Sequence, residues 1–313
     1  MNTHPKVSVL IPAYNVEAWV EESISSILKQ SYENLEIVII DDCSTDKTYE
    51  VITKFACEDK RIIPLKNCVN KKIVDTLNYG LQYCSGDYIL RHDADDVSEP
   101  NRIAEQLKYL LENNLDLVGT QMIPINSDGE IIGPQSGLPI THNLITKVAN
   151  FSSPLTHVWI CKTQIYKHLN GYRKVPYAED FDFVLRAIDY GYICGNTPVA
   201  LTRIRHRNGN TNDVASLAQR KGYFYALKLH RERLKYTKDS YSEHDYDRLI
   251  VHNPMIERLH SFSTKMLHKA FKSSTKTGVL YYTFLSILTS YYNLQYVFQR
   301  IKVRLMLRNS KGM

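Results

Sequence analysis

Short apolar strands alternate with amphipathic helices from Val7 to Gly119, and this alternation constrains the fold more than any other feature of the chain. The strands are apolar along their length, so both of their faces are expected to be buried. Strands of this kind, separated by helices, form a mostly parallel sheet covered by helices on both sides. The expected strands are Val7–Ile11, Leu35–Ile40, Arg61–Leu65, Asp87–Leu90 and Leu115–Gly119, and the expected helices are Glu17–Gln30, Thr48–Phe55, Ile73–Tyr83 and Pro100–Glu112.

The second half of the chain is patterned differently. Gly, Pro and Asp punctuate residues 124–137, which predicts a hairpin excursion. Ala178–Tyr190 is expected to form a helix with acidic residues in its first turn, and Pro198–Ile204 a late strand. The remainder is helical, basic and rich in tyrosine. We therefore expect an α/β domain over residues 1–212 and a basic helical C-terminal region over residues 213–313.

Charge is distributed unevenly along the chain. Residues 1–200 carry 18 Lys and Arg against 26 Asp and Glu, a balance of −8, whereas residues 201–313 carry 21 against 7, a balance of +14. A basic region of this kind can attract nucleic acid, an anionic membrane surface or an acidic polymer. No recognised nucleic-acid-binding module accompanies it, so we expect no nucleic-acid partner.

One stretch of the basic region, Thr277–Gln299, contains no charged residue. Its length fits a membrane-spanning helix of ~20 residues. Its serines, threonines, asparagine, glutamines and five tyrosines instead favour a core or interfacial helix. Of these alternatives we favour a helix that lies on a membrane, with the flanking basic residues touching anionic headgroups.

Cysteine usage and the start of the chain indicate the cellular compartment. The six cysteines include no C-x-x-C pair, which argues against a zinc ribbon or a redox motif. Met1–Lys6 is polar and Val7–Ile11 is too short for the apolar region of a signal peptide. We expect reduced thiols and a cytoplasmic location, peripheral on the inner face of the cell membrane.

Acidic clusters follow two of the predicted strands. Asp41 and Asp42 end the second strand, and His92-Asp93-Ala94-Asp95-Asp96 follows the fourth. Ligands bind at this carboxyl edge in open α/β sheets. Two carboxylates in an Asp-x-Asp motif can hold one hard cation such as Mg²⁺ or Mn²⁺. Taken alone, however, a solvated acidic loop or helix-capping aspartates would explain the motif better.

Four segments in a fixed order change that balance. They are Val7–Asn15, Ser25–Tyr32 followed by Leu35–Asp42, Gly86–Ile89 leading into Asp93–Asp96, and Glu179-Asp180 ahead of a helix that contains Arg186. Over roughly residues 5–210 the sequence resembles the family 2 glycosyltransferases. The resemblance implies the GT-A nucleotide-diphospho-sugar transferase fold, a Rossmann-like sheet flanked by helices. It also implies a nucleotide-binding half at about residues 1–97 and an acceptor half at about residues 98–212.

The resemblance also implies roles for individual residues. Asp42 would accept a hydrogen bond from the base, Asp93 would lie near the ribose, and Asp95 would ligate the cation between the phosphates. The family often has glycine where Lys72 stands, so the geometry of that loop is an open question. The implied nucleotide-sugar contacts are Pro12, Ala13, Tyr14, Asp42, Lys72, Asp93, Ala94 and Arg205; the implied metal ligands are Asp95 and His206, and the implied catalytic base is Asp180.

The chemistry of sugar transfer agrees with these roles. A departing diphosphate needs charge neutralisation, which Mn²⁺ or Mg²⁺ provides, and the attacking hydroxyl needs a base. One base without an enzyme nucleophile predicts a single displacement with inversion. We therefore expect an inverting enzyme that uses a nucleotide-diphospho-sugar, with UDP favoured by the resemblance. Its acceptor would be a glycan or lipid-linked glycan of a capsule, lipopolysaccharide or exopolysaccharide.

Three other classes share part of this pattern. An aspartate-nucleophile phosphatase places its Asp-x-Asp after the first strand, whereas here the motif comes late. A metal-dependent nucleotidyltransferase usually opens with a Gly-rich basic loop, which Pro12-Ala13-Tyr14-Asn15 is not. A non-catalytic sugar-nucleotide-binding partner of a glycan assembly complex would be expected to lack Asp95 or Asp180, and both are present.

Overall fold

A computed structural model describes residues 4–207, 216–251 and 253–309. Its strands are β1 (Val7–Ala13), β2 (Leu35–Asp41), β3 (Ile62–Lys66), β4 (Tyr88–Arg91), β5 (Val97–Ser98), β6 (Leu117–Ile125), β7 (Ile160–Lys162) and β8 (Cys194–Arg205). Its helices are α1 (Val20–Leu28), α2 (Thr48–Glu58), α3 (Lys72–Leu81), α4 (Arg102–Glu112), α5 (His142–Ala149), α6 (Thr163–His168), α7 (Glu179–Asp189), α8 (Ser216–Tyr236), α9 (His244–Ile250), α10 (Pro254–Lys272), α11 (Lys276–Thr289) and α12 (Tyr291–Asn309).

The strands form one mixed sheet in the order β3-β2-β1-β4-β7-β6-β8-β5. The pairs β3/β2, β2/β1, β1/β4 and β6/β8 are parallel, as the α/β pattern predicts. Strand β7 runs antiparallel to both β4 and β6, and β5 runs antiparallel to β8. The expected α/β fold is thus confirmed. The short β5 and β7 add antiparallel pairs that the sequence pattern did not predict.

Apolar side chains fill both faces of this sheet. On one face Val9 and Ile11 of β1 join the apolar residues of α1, α2 and α4. On the other face Leu10 of the same strand joins α3 and the buried side chains of Trp159 and Phe183. Alternate residues of one strand therefore enter opposite cores, which explains why the strand is apolar at nearly every position. Trp159 is fully buried, as expected for a core residue.

The described chain divides into two compact units. The first contains the whole sheet and comprises the described residues up to 146 together with 154–173 and 183–207. The second comprises 147–153, 174–182 and the described residues from 216 onward. The expected boundary between residues 212 and 213 lies outside the described residues, so that division of the chain stays a prediction.

The uncharged stretch Thr277–Gln299 belongs to two helices, because α11 ends at Thr289 and Ser290 is extended (φ −149°, ψ 116°). Its polar residues have buried partners on α10: Asn293 Nδ2 donates to Ser263 Oγ at 2.7 Å, and Ser290 Oγ lies 2.8 Å from His260 Nδ1. The expectation of one continuous helix was therefore wrong, since these polar groups turn inward. Among the helices of the described ranges, none combines the length and the apolar character that crossing a membrane requires.

A buried carboxylate on β2 ties the start of β1 to the loop before β4. Glu36 accepts hydrogen bonds from Ser8 and from both the amide and hydroxyl of Ser85, and it pairs with Lys6. Burial alone would raise the pKa of Glu36. The contacts from Lys6, Ser8 and Ser85 outweigh burial and lower the pKa from 4.5 to about 2. The ionised form is therefore the one that the fold stabilises.

We predict that Glu36→Gln lowers the free energy of unfolding by about 2 kcal/mol at pH 7. The folded-state pKa lies below the unfolded value, so the stabilisation is present above about pH 4.5 and is lost as the pH falls towards 2. Urea unfolding followed by circular dichroism should show the two proteins converging over that range. Glu33→Gln, at an exposed position, is the control. An equal gap at every pH would contradict the prediction.

Candidate functional site

The carboxyl edge of the sheet brings the first two sequence motifs together. Ala13 at the end of β1 pairs with Asp41 at the end of β2, and the amide of Asp42 donates to the carbonyl of Ala13 at 2.8 Å. Pro12 is half-buried, Ala13 is buried, and the Tyr14 side chain is 45% exposed. The residues predicted to form the floor of a nucleotide pocket are thus adjacent to Asp42.

The Asp42 carboxylate is buried and accepts three hydrogen bonds. One oxygen takes the side chain of Asn67 and the amide of Lys71, both at 2.8 Å. The other oxygen takes the amide of Lys72 at 2.9 Å. A carboxylate oxygen can accept more than one hydrogen bond, so the second oxygen keeps an acceptor site. Asp42 therefore shapes the loop before α3 and retains capacity for an external N–H donor.

The Lys72 backbone has a conformation that glycine adopts easily. Its φ angle is +67°, in the left-handed region, which costs an ordinary residue about 1–2 kcal/mol and costs glycine little. The amide of Lys72 in this conformation donates to Asp42. The backbone thus adopts the shape that glycine would permit. Whether the Lys72 side chain contacts a nucleotide stays a prediction.

Arginines of β8 and the segment after it hold Asp95. The Asp95 carboxylate accepts from Arg207 Nε at 2.7 Å, and its backbone carbonyl accepts from Arg205 Nε at 2.8 Å. Arg205 is buried and also donates to the carbonyl of Ser127 and the carboxylate of Glu22. In this structure Arg205 therefore positions the acidic loop, residues 93–96. Its predicted contact with the nucleotide sugar, and the metal-binding role of Asp95, stay predictions.

His157 lies against the acidic motif, a contact that the sequence did not predict. His157 Nε2 lies 3.2 Å from Asp93 Oδ2 and 3.6 Å from Asp96 Oδ2. Neither Asp96 Oδ2 nor His157 Nε2 has a hydrogen-bond partner among the described residues. The potential ligand atoms of Asp93, Asp96 and His157 lie within 4.8 Å of one another, as a shared cation requires. Two carboxylates and one imidazole therefore form a group that fits a divalent metal.

Strand register explains why His157 meets the acidic loop. In the antiparallel pair, Leu90 of β4 lies opposite Ile160 of β7. Continuing that register by three residues places Asp93 opposite His157. The signal lies in a non-local pairing between two short strands, so the local sequence around His157 gives no indication of it.

Electrostatics in this group are strongly coupled. Burial, followed by the charges of Asp95 and Asp93, raises the pKa of Asp96 to about 6. Burial opposes protonation of His157, but the Asp93 and Asp96 carboxylates outweigh it and raise its pKa to about 9. At neutral pH protonated His157 is therefore the cation that pairs with Asp93 and Asp96, and a divalent cation bound by the three side chains would displace its proton.

A fully buried arginine holds both sides of the site. Arg102 donates to the backbone carbonyls of Arg91 and Val158, each at 2.9 Å, which flank Asp93 and His157 in the chain. It also donates to His92 Nδ1 at 3.0 Å. Burial, followed by the Arg102 charge, lowers the pKa of His92 to about 3, so His92 is neutral. The remaining N–H groups of Arg102 donate to Ser98 and Gln106, so all five of its N–H groups are satisfied.

The other predicted site residues lie elsewhere. Ala94 is buried within the acidic loop. The side chain of His206 is exposed and does not belong to the acid–histidine group of Asp93, Asp96 and His157. Asp180 belongs to the second unit, where its carboxylate accepts from the amide of Phe181 at 2.7 Å. The structure thus brings together Ala13, Asp42 and the acidic loop at one sheet edge. The convergence of Asp180 with them stays a prediction.

We expect Arg102→Met to lower the free energy of unfolding by about 3 kcal/mol, because it leaves His92 and two buried carbonyls without their donor. Lys108→Met is the matched control, since Lys108 is exposed on the same helix. Thermal and urea denaturation measure both. Equal effects of the two substitutions would show that the Arg102 contacts contribute nothing.

Comparison with known proteins places this geometry in context. Residues 8–169 match the family model for glycosyl transferase family 2. An uncharacterized glycosyltransferase of Haemophilus influenzae is 35% identical over 247 residues, which cover 75% of each chain. The Escherichia coli UDP-Glc:alpha-D-GlcNAc-diphosphoundecaprenol beta-1,3-glucosyltransferase WfgD is 30% identical over 202 residues, covering 60% of this chain and 75% of WfgD.

Solved structures share the fold. S. aureus TarS in complex with UDP-GlcNAc aligns with a TM-score of 0.63 at 18% identity, covering 95% of this chain and 92% of that one. The mannosyltransferase PcManGT of Pyrobaculum calidifontis, in complex with GDP-Man and Mn2+, aligns with a TM-score of 0.57 at 18% identity, covering 98% and 87%. The architecture is therefore that of GT-A glycosyltransferases.

Proposed function

This chain belongs to glycosyl transferase family 2, and from that premise we propose that it transfers a sugar from a UDP-sugar to a hydroxyl group with inversion. The observation that carries the proposal is the acid–histidine group of Asp93, Asp96 and His157, adjacent to Asp95 in the motif that resembles the family's metal site. The acceptor we propose is a growing surface glycan, in keeping with the diphosphoundecaprenol-linked substrate in the name of WfgD.

The donor set of this group favours Mn²⁺ within the Mn²⁺/Mg²⁺ class. Asp93 and Asp96 offer carboxylate oxygens and His157 offers an imidazole nitrogen. Mg²⁺ prefers oxygen ligands alone, whereas imidazole is a common ligand of transition metals. Asp96 Oδ2 is buried, lies 3.6 Å from His157 Nε2 and has no hydrogen bond among the described residues, which supports a cation between these two side chains. We propose that Asp95 also serves the cation, as the resemblance implies.

The residues of the chain divide the reaction between them. Asp42, with its free acceptor site, is proposed to hold the base of the nucleotide, and the Ala13–Tyr14 segment its floor. A bound divalent cation supplies charge neutralisation at the departing diphosphate. Asp180 is proposed to take the proton of the attacking hydroxyl, because it lies in the motif that resembles the family's base. With no enzyme nucleophile, the anomeric centre inverts.

Membrane contact is a separate part of the proposal. Basic residues of the C-terminal region accompany several large apolar side chains of α11 and α12. The apolar side chains that are more than half exposed are Leu280, Tyr281, Phe284, Leu288, Tyr291, Phe298, Ile301 and Leu305. Exposed apolar residues beside basic ones are typical of helices that lie on anionic membrane surfaces. We propose a peripheral attachment to the inner face of the cell membrane.

We predict that His157→Ala weakens Mn²⁺ binding about tenfold or more, since removal of a ligand or its support costs that much. Paramagnetic resonance of free Mn²⁺ measures the affinity directly, without sugar transfer. Asp93→Asn and Asp95→Asn should weaken binding as well.

His206→Ala is the control histidine for this measurement, because the resemblance implies a metal role for it and its side chain is exposed. Loss of Mn²⁺ binding in His206→Ala but not in His157→Ala would assign the metal to the residues implied by the resemblance alone.

The base assignment has its own test. Asp180→Asn should retain UDP-sugar affinity and lose transfer by about a thousandfold, since only the proton acceptor is removed. Release of nucleoside diphosphate across a panel of sugar nucleotides measures transfer, and calorimetry measures donor binding. Asp128→Asn, at an exposed loop position, is the control. Normal transfer by Asp180→Asn would refute the assignment.

A further inference from the structure

A pocket of about 230 Å³ lies within the second unit, between α8, α12 and the segment around Ser152. Its polar side chains can all donate hydrogen bonds: Ser152, Gln219, Arg220, Tyr223, Tyr296, Gln299 and Arg300. Among the described residues, no carboxylate lines it. Pockets for drug-sized ligands measure about 300–1,000 Å³, so this one fits a small charged group better than an oligosaccharide.

Two guanidinium groups share one aromatic ring in this pocket. The Arg220 guanidinium lies 3.6 Å from the ring centroid of Tyr296, and that of Arg300 lies 5.8 Å from the same ring. Burial, and to a lesser extent the Arg300 charge, lowers the pKa of Arg220. Within residues 4–207, 216–251 and 253–309, neither group forms an ion pair with a carboxylate. Two unneutralised like charges in a concave site favour an anionic ligand.

A third cation, Lys302, contacts a lining residue but does not itself line the pocket. Lys302 Nζ stands 5.0 Å from the ring of Phe151, which lines the pocket. The two guanidinium groups and two amide groups of the lining offer more hydrogen-bond donors than a single carboxylate can use. A phosphate or diphosphate carries more charge and more acceptor oxygens, and planar guanidinium groups bind it in bidentate fashion.

Tyr223 links this pocket to Asp180 within the second unit. Its ring stacks on Phe181 at 4.2 Å, next to Asp180 in the chain, and its hydroxyl accepts from the amide of Ser153 at 2.5 Å. Burial, followed by the charge of Asp180, raises the pKa of Tyr223. The same tyrosine lines the pocket. A ligand in the pocket would therefore lie on the side of the proposed base.

We infer that the pocket around Arg220 and Arg300 binds the phosphate or diphosphate group of a phosphorylated acceptor, which rests on the proposed function. This inference rests on the hydrogen-bond donors of the lining, on the lack of a carboxylate among its described residues, and on the packing of Tyr223 beside Asp180. Phospholipid headgroups offer the same oxygens, so the experiment separates the two sources.

Calorimetric titration of the full chain in EDTA with farnesyl diphosphate, and with farnesol as the ligand that lacks phosphate, tests the site. We expect farnesyl diphosphate to bind and farnesol not to bind. Arg220→Gln and Arg300→Gln should each weaken binding about tenfold or more, the size of a lost charge-assisted hydrogen bond. Because Arg300 is exposed, its replacement is the variant that tests the pocket without disturbing the fold.

Arg304→Gln is the matched control, since Arg304 is exposed on the same helix and does not line the pocket. An excess of UDP, which would fill the proposed donor site, should leave farnesyl diphosphate binding unchanged. An equal loss in Arg304→Gln and Arg300→Gln, or displacement of farnesyl diphosphate by UDP, would overturn the inference. So would the absence of any binding by the wild-type chain.

Sedimentation with phosphatidylglycerol and phosphatidylcholine vesicles separates the sources. If Arg300→Gln loses binding to phosphatidylglycerol vesicles but keeps its affinity for farnesyl diphosphate, the pocket is a headgroup site and the acceptor assignment is wrong. The binding measurements need no catalysis. A chain that binds farnesyl diphosphate through Arg300 but transfers no sugar would refute the proposed function and leave the pocket assigned.

Discussion

The buried guanidinium of Arg102 is the interaction on which the arrangement of the site depends. Its five N–H groups reach the carbonyl before the acidic loop, the carbonyl after His157, the His92 ring, and the side chains of Ser98 and Gln106. Burial lowers its pKa to about 9, while Asp96 and Asp93 oppose that change. A charge so deeply buried is stable only when every donor is paired, which makes the geometry around it rigid.

Rigidity at this point has a chemical consequence. The paired backbone segments fix Asp93 and His157 opposite each other, and Asp96 Oδ2, 3.6 Å from His157 Nε2, has no hydrogen bond within the described part of the chain. Proteins rarely leave a buried carboxylate oxygen unsatisfied unless something external completes it. A divalent cation that arrives with a nucleotide diphosphate would do so. The fold therefore holds the Asp93 and Asp96 carboxylates in place for such a cation.

The sequence predicted the features that arise from local pattern. The parallel strands β1 to β4 are apolar runs between helices, so their positions in the chain and their burial followed from periodicity, and the acidic motifs fell at the sheet edge for the same reason. Strand β7 has three residues and β5 has two, too few for a pattern. His157 was missed because only the β4/β7 register places it. The polar residues of α11 and α12 read as interruptions because their partners on α10 are distant in sequence.

The roles of single residues were less accessible to sequence reasoning than the fold. Arg205 was expected at the nucleotide, which stays a prediction, and its guanidinium donates to the backbone carbonyls of Asp95 and Ser127. Lys72 departed from the glycine of the resembled motif, yet its backbone keeps a left-handed φ. In both cases the backbone contact, which no residue pattern reports, determines what the side chain is free to do.

The most direct measurement of this account is the anomalous difference map of a crystal grown with Mn²⁺ and UDP. The account predicts one strong Mn²⁺ peak bounded by the Asp93–Asp96 loop and His157, with the uracil beside Asp42. A peak with no contact to that loop, or UDP bound elsewhere on the chain, would contradict it.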